Sequence, residues 1–101
     1  MNGLTFRIGT ADYKVVEKPD LMIKHNLLGQ ITYHDARIEV EPTLCDQRKA
    51  SVIIHELVHA MLYEAGYDEH DEDQVVRLGN VLTQVLRDNS FDILCEEEDV
   101  E

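Results

Sequence analysis

His55-Glu56-Leu57-Val58-His59 sets two imidazoles four residues apart, with a carboxylate directly after the first. On an α-helix, residues four apart stand one turn apart on the same face, so both rings can reach one metal ion. Glu56 flanks that face and can hydrogen-bond a water in the ion's open position without being a ligand. Two neutral nitrogen ligands, an open position and a carboxylate base are what a zinc hydrolase needs. The spacing therefore predicts zinc held by His55 and His59, with Glu56 as general base. With 5 His and 21 acidic residues in the chain, a chance match is the competing explanation. The flanks argue against it, because the run from Ala50 to Tyr63 is apolar nearly all round and reads as a buried helix. Imidazoles and a carboxylate on such a helix are costly without partners, and a metal supplies one. Ala50, Ile54, Leu57 and Met61 form a stripe suited to a core, with His55 and His59 roughly opposite.

A catalytic zinc needs a third protein ligand. The stretch Asp68-Glu69-His70-Asp71-Glu72-Asp73 opens a second helical pattern, where carboxylates suit the positive end of the helix dipole. A turn containing Gly66 brings this helix back against the first. Its apolar stripe of Val75, Leu78, Val81, Leu82, Val85 and Leu86 is expected to face the core. In that phase Asp73 points away, Asp71 lies near the centre of the stripe and Glu72 at its edge. Asp71 is also the best N-cap candidate, a role that would occupy its carboxylate with backbone N–H groups. Glu72 has the longer reach and is the expected third ligand. Asp71 and then His70 are the alternatives, and a merely solvated helix start is the plain reading of the same cluster. His25 and His34 are isolated in sequence and read as surface residues.

Shorter elements must position these two helices. Leu4 to Ile8 and Tyr13 to Glu17 read as strands around a Gly9–Asp12 turn, followed by a short helical turn from Leu21 to Leu28. Gln30 to His34 and Arg37 to Glu41 alternate as a hairpin with one apolar and one polar face. Thr43 with Asp46 resembles a capping box, so the first long helix is expected from Leu44 to Glu64, with Gly66 just past its end. Arg87 to Ser90 closes the second.

The 101 residues suit one domain, placed at 1–95, with an acidic tail at 96–101 expected to be disordered. A net charge of −12 repels phosphate backbones and anionic lipid, so neither nucleic acid nor membrane is an expected partner. No apolar window reaches the ~18 residues of a membrane span. Cys45 and Cys95 read as ordinary thiols and no signal peptide is visible, which together predict a cytoplasmic location.

The succession Gly29, Ile31, Tyr33, Ile38-Glu39-Val40, Gln47-Arg48 and Ser51 to Ala60 resembles the ImmA/IrrE-type zinc metallopeptidases of bacteria, phages and mobile elements. In that family a hairpin leads directly into an HExxHA helix, and a downstream helix supplies a carboxylate ligand. Glu72 to Leu78 and Leu86 to Asn89 look like the closing helix of small phage-type members. The resemblance spans about residues 28–90; Val75 to Gly79 departs from the A-N-x-F-A-like pattern of larger relatives. It implies an α+β, zincin-like fold, with a short, mainly antiparallel sheet packed on two long helices. It also implies a protein or peptide substrate, such as a phage or mobile-element repressor, held beside an exposed strand. Tyr33 or Tyr63 could donate to the oxyanion, although a packing role suits either. The competing expectation is a non-catalytic, zinc-containing phage-type interaction protein, and a second enzymatic one is hydrolysis of a small amide.

Overall fold

The computed structural model describes residues 3–96. Strands β1 (Thr5–Ile8) and β2 (Ala11–Glu17) are followed by a short helix, α1 (Leu21–His25), then by β3 (Gly29–Thr32) and β4 (Arg37–Val40). Two long helices follow, α2 (Asp46–Glu64) and α3 (Glu72–Asp88), and then a five-residue helix, α4 (Asp92–Glu96). The architecture is α+β. Its four strands lie in the order β1-β2-β4-β3. The sheet is mixed: β1–β2 and β3–β4 are antiparallel, whereas β2 and β4 run parallel. Two of these three pairings are antiparallel, as expected of a mainly antiparallel sheet, and the parallel pair is an addition to that expectation. It arises because the chain crosses through α1 and β3 before β4 docks on β2, and the strand pattern alone carries no sign of direction.

Register explains the core. Val15 pairs with Ile38 across β2–β4, and Ile38 with Ile31 across β4–β3, so one apolar row crosses the sheet. Tyr13, Val15, Ile38 and Val40 meet Ile53, Leu57 and Ala60 of α2 in one buried cluster. The core seam of α2 therefore differs from the expected Ala50–Ile54–Leu57–Met61 stripe. Only Leu57 is shared, and Met61 is 41% exposed. A helix apolar on every side has no phase of its own, so the sheet selects the face.

Three further expectations change. Thr43 does not cap α2: its hydroxyl donates to Glu41 at 2.8 Å, and α2 starts at Asp46 with Cys45 as an N-cap that makes no side-chain bond. The hairpin lacks an open polar face on β4, because this interior strand buries Ile38, Glu39 and Val40 alike. The Glu39 carboxylate is partnered by Gln30, Lys18 and Arg37. The stripe of α3 is mostly uncovered, with only Val75 and Gly79 of this helix buried. Its packing is onto α2.

Gly66, with φ 105°, follows the Ala65 C-cap of α2 in the left-handed region that glycine tolerates best. Cys45 and Cys95 are exposed free thiols. Among the described residues, no helix is long and apolar enough to cross a membrane. The expected tail lies outside the described residues from position 97, while Glu96 ends α4.

Candidate metal centre and catalytic carboxylate

Both histidines sit mid-way along α2, partly buried, on the side that α3 approaches. Their rings lie 5.0 Å apart, centroid to centroid. Asp71 takes the N-cap of α3, its side chain accepting from the backbone N–H groups of Asp73 and Gln74. This starts the helix so that Glu72, its first residue, leans over the histidines. Glu72 Oε1 is 2.7 Å from His55 Nε2, and Oε2 is 3.1 Å from His59 Nε2. Asp73 points away and pairs with Arg77 at 2.9 Å. Close approach of the helices is possible because α3 presents Gly79 to α2, where a Cβ would stand 3.7 Å from His55 Cα.

Ligand atoms of His55, His59 and Glu72 all lie within 4.8 Å of one another. Two imidazole nitrogens and one carboxylate oxygen are a donor set that zinc accepts, with a position left for water. The contacts at 2.7 and 3.1 Å are slightly shorter than the roughly 3.3 Å between ligand atoms on a tetrahedral zinc. The residues fit such an ion. Burial holds the His59 pKa below its ordinary value, opposed by the Glu72 charge. A depressed pKa keeps the ring neutral, as a metal ligand must be.

Glu56 is 8% exposed. Burial is the main cause that raises its pKa from 4.5 to about 7; the Glu72 charge adds to the rise and His55 opposes it. A carboxyl poised near neutrality can both accept and return a proton. Gly29 of the edge strand β3 lies against it: a Cβ there would be 3.7 Å from Glu56 Oε2 and only 2.4 Å from Val52 Cγ1. Glycine is what allows the strand so close to the helix. Beside this contact, an open cleft of about 320 Å³ is lined by Leu28, Gly29, Val52, Val76, His55 and Glu56.

Two contacts beside the cluster are not written in the residue order. His70 points its Nδ1 at His59 Nδ1, 2.8 Å away, rather than joining the Nε2 cluster. Tyr33 and Tyr63 stack at 4.3 Å, and Tyr33 also meets His70 edge-on at 6.1 Å. Burial, then the charges of Glu56 and Glu72, raise the Tyr33 pKa, so its hydroxyl stays protonated within the field of the site. The spacing of Tyr67 and His70, three residues apart after a glycine turn, was the available signal for a locally anchored imidazole. His25 and His34 are exposed and away from this cluster. No protein-family model, curated protein or solved structure matches the chain.

Proposed function

We propose that the chain is a zinc-dependent metallopeptidase that hydrolyses peptide bonds of a protein substrate. The observation that carries this reading is the convergence of His55, His59 and Glu72 beside a buried Glu56 whose pKa is raised to about 7. His55 and His59 would hold the ion through Nε2 and Glu72 through its carboxylate. Zinc, when bound, polarises the scissile carbonyl and lowers the pKa of the attacking water. Glu56 takes the proton from that water and passes it to the leaving amine nitrogen. Tyr33, kept protonated by burial and by the charges of Glu56 and Glu72, is a better donor to the developing oxyanion than the more exposed Tyr63. Leu28 and Gly29 bring the sheet edge to the cleft, so an extended substrate segment laid along β3 would pass Glu56. The ImmA/IrrE-like succession favours a repressor of a phage or mobile element as substrate, cut in a bacterial cytoplasm.

A second reading is a zinc-containing interaction protein without catalysis. It is favoured by the uncovered apolar side chains of α3, Leu78, Val81 and Leu86. Zinc-loaded wild type and Glu56→Gln, offered folded repressors and unfolded casein-like chains, separate the two. The peptidase reading expects cleavage by the wild type that chelation stops and zinc restores, and its near-complete loss in Glu56→Gln. Equal cleavage by both proteins removes Glu56 as the base. Stable capture of a partner that neither protein cuts would favour the second reading.

A further inference from the structure

The turn between the two long helices carries a histidine, one of whose ring-nitrogen contacts has its donor fixed by elementary hydrogen-bonding rules. His70 Nε2 lies 2.8 Å from the carbonyl oxygen of Tyr67. A carbonyl can only accept, so this nitrogen carries the proton. The other nitrogen of a neutral His70, Nδ1, then has a lone pair, and it lies 2.8 Å from His59 Nδ1. For that contact to be a hydrogen bond, His59 must donate from Nδ1. A neutral His59 protonated at Nδ1 has its lone pair on Nε2, the atom turned toward Glu72 and His55.

We infer that His70 is a positioning residue that fixes the tautomer and ring orientation of His59, so that Nε2 is presented ready to bind the metal. The inference rests on the zinc reading above and assigns His70 a role distinct from that of a ligand. The order of bonding runs from the backbone of Tyr67, through His70, to His59. Its anchor is the short segment after Gly66, which is held to α2 by the Tyr67 N–H bond to the Leu62 carbonyl at 2.9 Å. The two rings lie nearly parallel, 25° apart with centroids 5.0 Å apart, and the edge-on Tyr33 ring restrains His70 from another side. The α3 side contributes Glu72, whose charge faces the opposite nitrogen of His59. That carboxylate favours a proton on Nε2 when no metal is present. The bond to His70 counters this preference, and outer partners of metal-bound imidazoles act in this way to set ligand basicity and aim.

His70→Leu removes the acceptor while keeping comparable bulk, and His70→Asn puts a carbonyl oxygen near the place of Nδ1. Zinc affinity, measured by competition with a chromophoric chelator, should fall about 10–100-fold in His70→Leu and recover most of that loss in His70→Asn. Nitrogen-15 spectra of the zinc-free protein at about pH 8, where ordinary imidazoles are neutral, read the tautomer without any metal. His59 should shift from Nδ1-protonated in the wild type toward Nε2-protonated in His70→Leu, and back in His70→Asn. Thermal unfolding of the zinc-free proteins provides the fold control. An unchanged His59 tautomer in His70→Leu would overturn the assignment, as would equal loss of zinc affinity in both variants. If the wild type binds no zinc, the metal reading fails on its own, and the tautomer shift still decides the link between His70 and His59.

Discussion

Two buried carboxylates, Glu41 and Glu56, stand on either side of the start of α2 and have opposite fates. Glu41, just after β4, is 2% exposed and accepts bonds from Met22 N–H at 2.9 Å, Thr43 N–H at 3.2 Å and the Thr43 hydroxyl at 2.8 Å. Those donors stabilise its charge and hold its pKa below the ordinary carboxylate value, with the Met22 bond the largest cause. Glu56 is similarly buried but faces an apolar seam, a close glycine and a second carboxylate, and its pKa rises to about 7. Burial alone does not set the protonation state of a carboxylate. A buried carboxylate ringed by donors ties α1 to the loop before α2, whereas one whose burial outweighs the opposing His55 charge is poised to exchange a proton.

The largest effect expected from this contrast is on catalysis. Glu56→Gln should reduce hydrolysis by about 10²–10⁴-fold, the usual worth of a general base. Glu41→Gln should leave the rate per folded molecule close to wild type, as measured on zinc-loaded protein with the folded fraction checked by circular dichroism. A comparable loss of rate per folded molecule in both variants would erase the distinction.

The stability of the zinc-free protein should divide with opposite signs. For Glu56 the folded pKa lies above the unfolded one, so its contribution is complete below about pH 4.5 and is lost as pH rises toward about 7. Glu56→Gln should abolish that decline and exceed the wild type at pH 8 by up to roughly 3 kcal/mol. For Glu41 the folded pKa is depressed, so its contribution is present above the unfolded carboxylate pKa and lost as pH falls through the folded one. Glu41→Gln should therefore destabilise most near neutrality and least in acid, because glutamine keeps one acceptor oxygen and cannot take both the Met22 donor and the Thr43 donors, which bond different oxygens of Glu41. Urea unfolding across this pH range reads both curves, and two parallel curves would contradict the pairing.

The smallest change sharpens the Glu56 side. Gly29→Ala places a methyl 2.4 Å from Val52 Cγ1, and branched valine has little room to yield. A destabilisation of about 1–3 kcal/mol is expected by denaturant titration, together with a narrowed cleft beside Glu56. Retention of full stability would mean that β3 is free to move off the helix.

Much of this contrast was legible in the residue order, and the unread parts share a cause. The α2 pattern ended correctly at Glu64 before Gly66, and Asp71 could be identified as an N-cap, because helix ends are written locally. The β3–β4 hairpin was equally local. The parallel β2–β4 pair was not, since alternation reveals which face is buried but gives no strand direction. Thr43 looked like a cap until Glu41 claimed its hydroxyl, and Glu39 looked exposed until β2 and β3 enclosed its strand. The phase of α3 set Glu72 apart from Asp73, yet the same stripe gave no sign that Leu78 and Val81 would remain uncovered. His70 meets His59 only because the turn after Gly66 folds back, a placement that depends on both helices at once.

His55, His59 and Glu72 should together form a zinc site beside Glu56. X-ray absorption at the zinc edge on stoichiometrically loaded protein tests it most directly, with Glu72→Ala measured alongside. One zinc per chain is expected, bound by two imidazole nitrogens and oxygen donors without sulfur, with much weaker retention of the ion in Glu72→Ala than in Asp73→Ala. Failure of the wild type to hold stoichiometric zinc, or a first shell containing sulfur from Cys45 or Cys95, would contradict it.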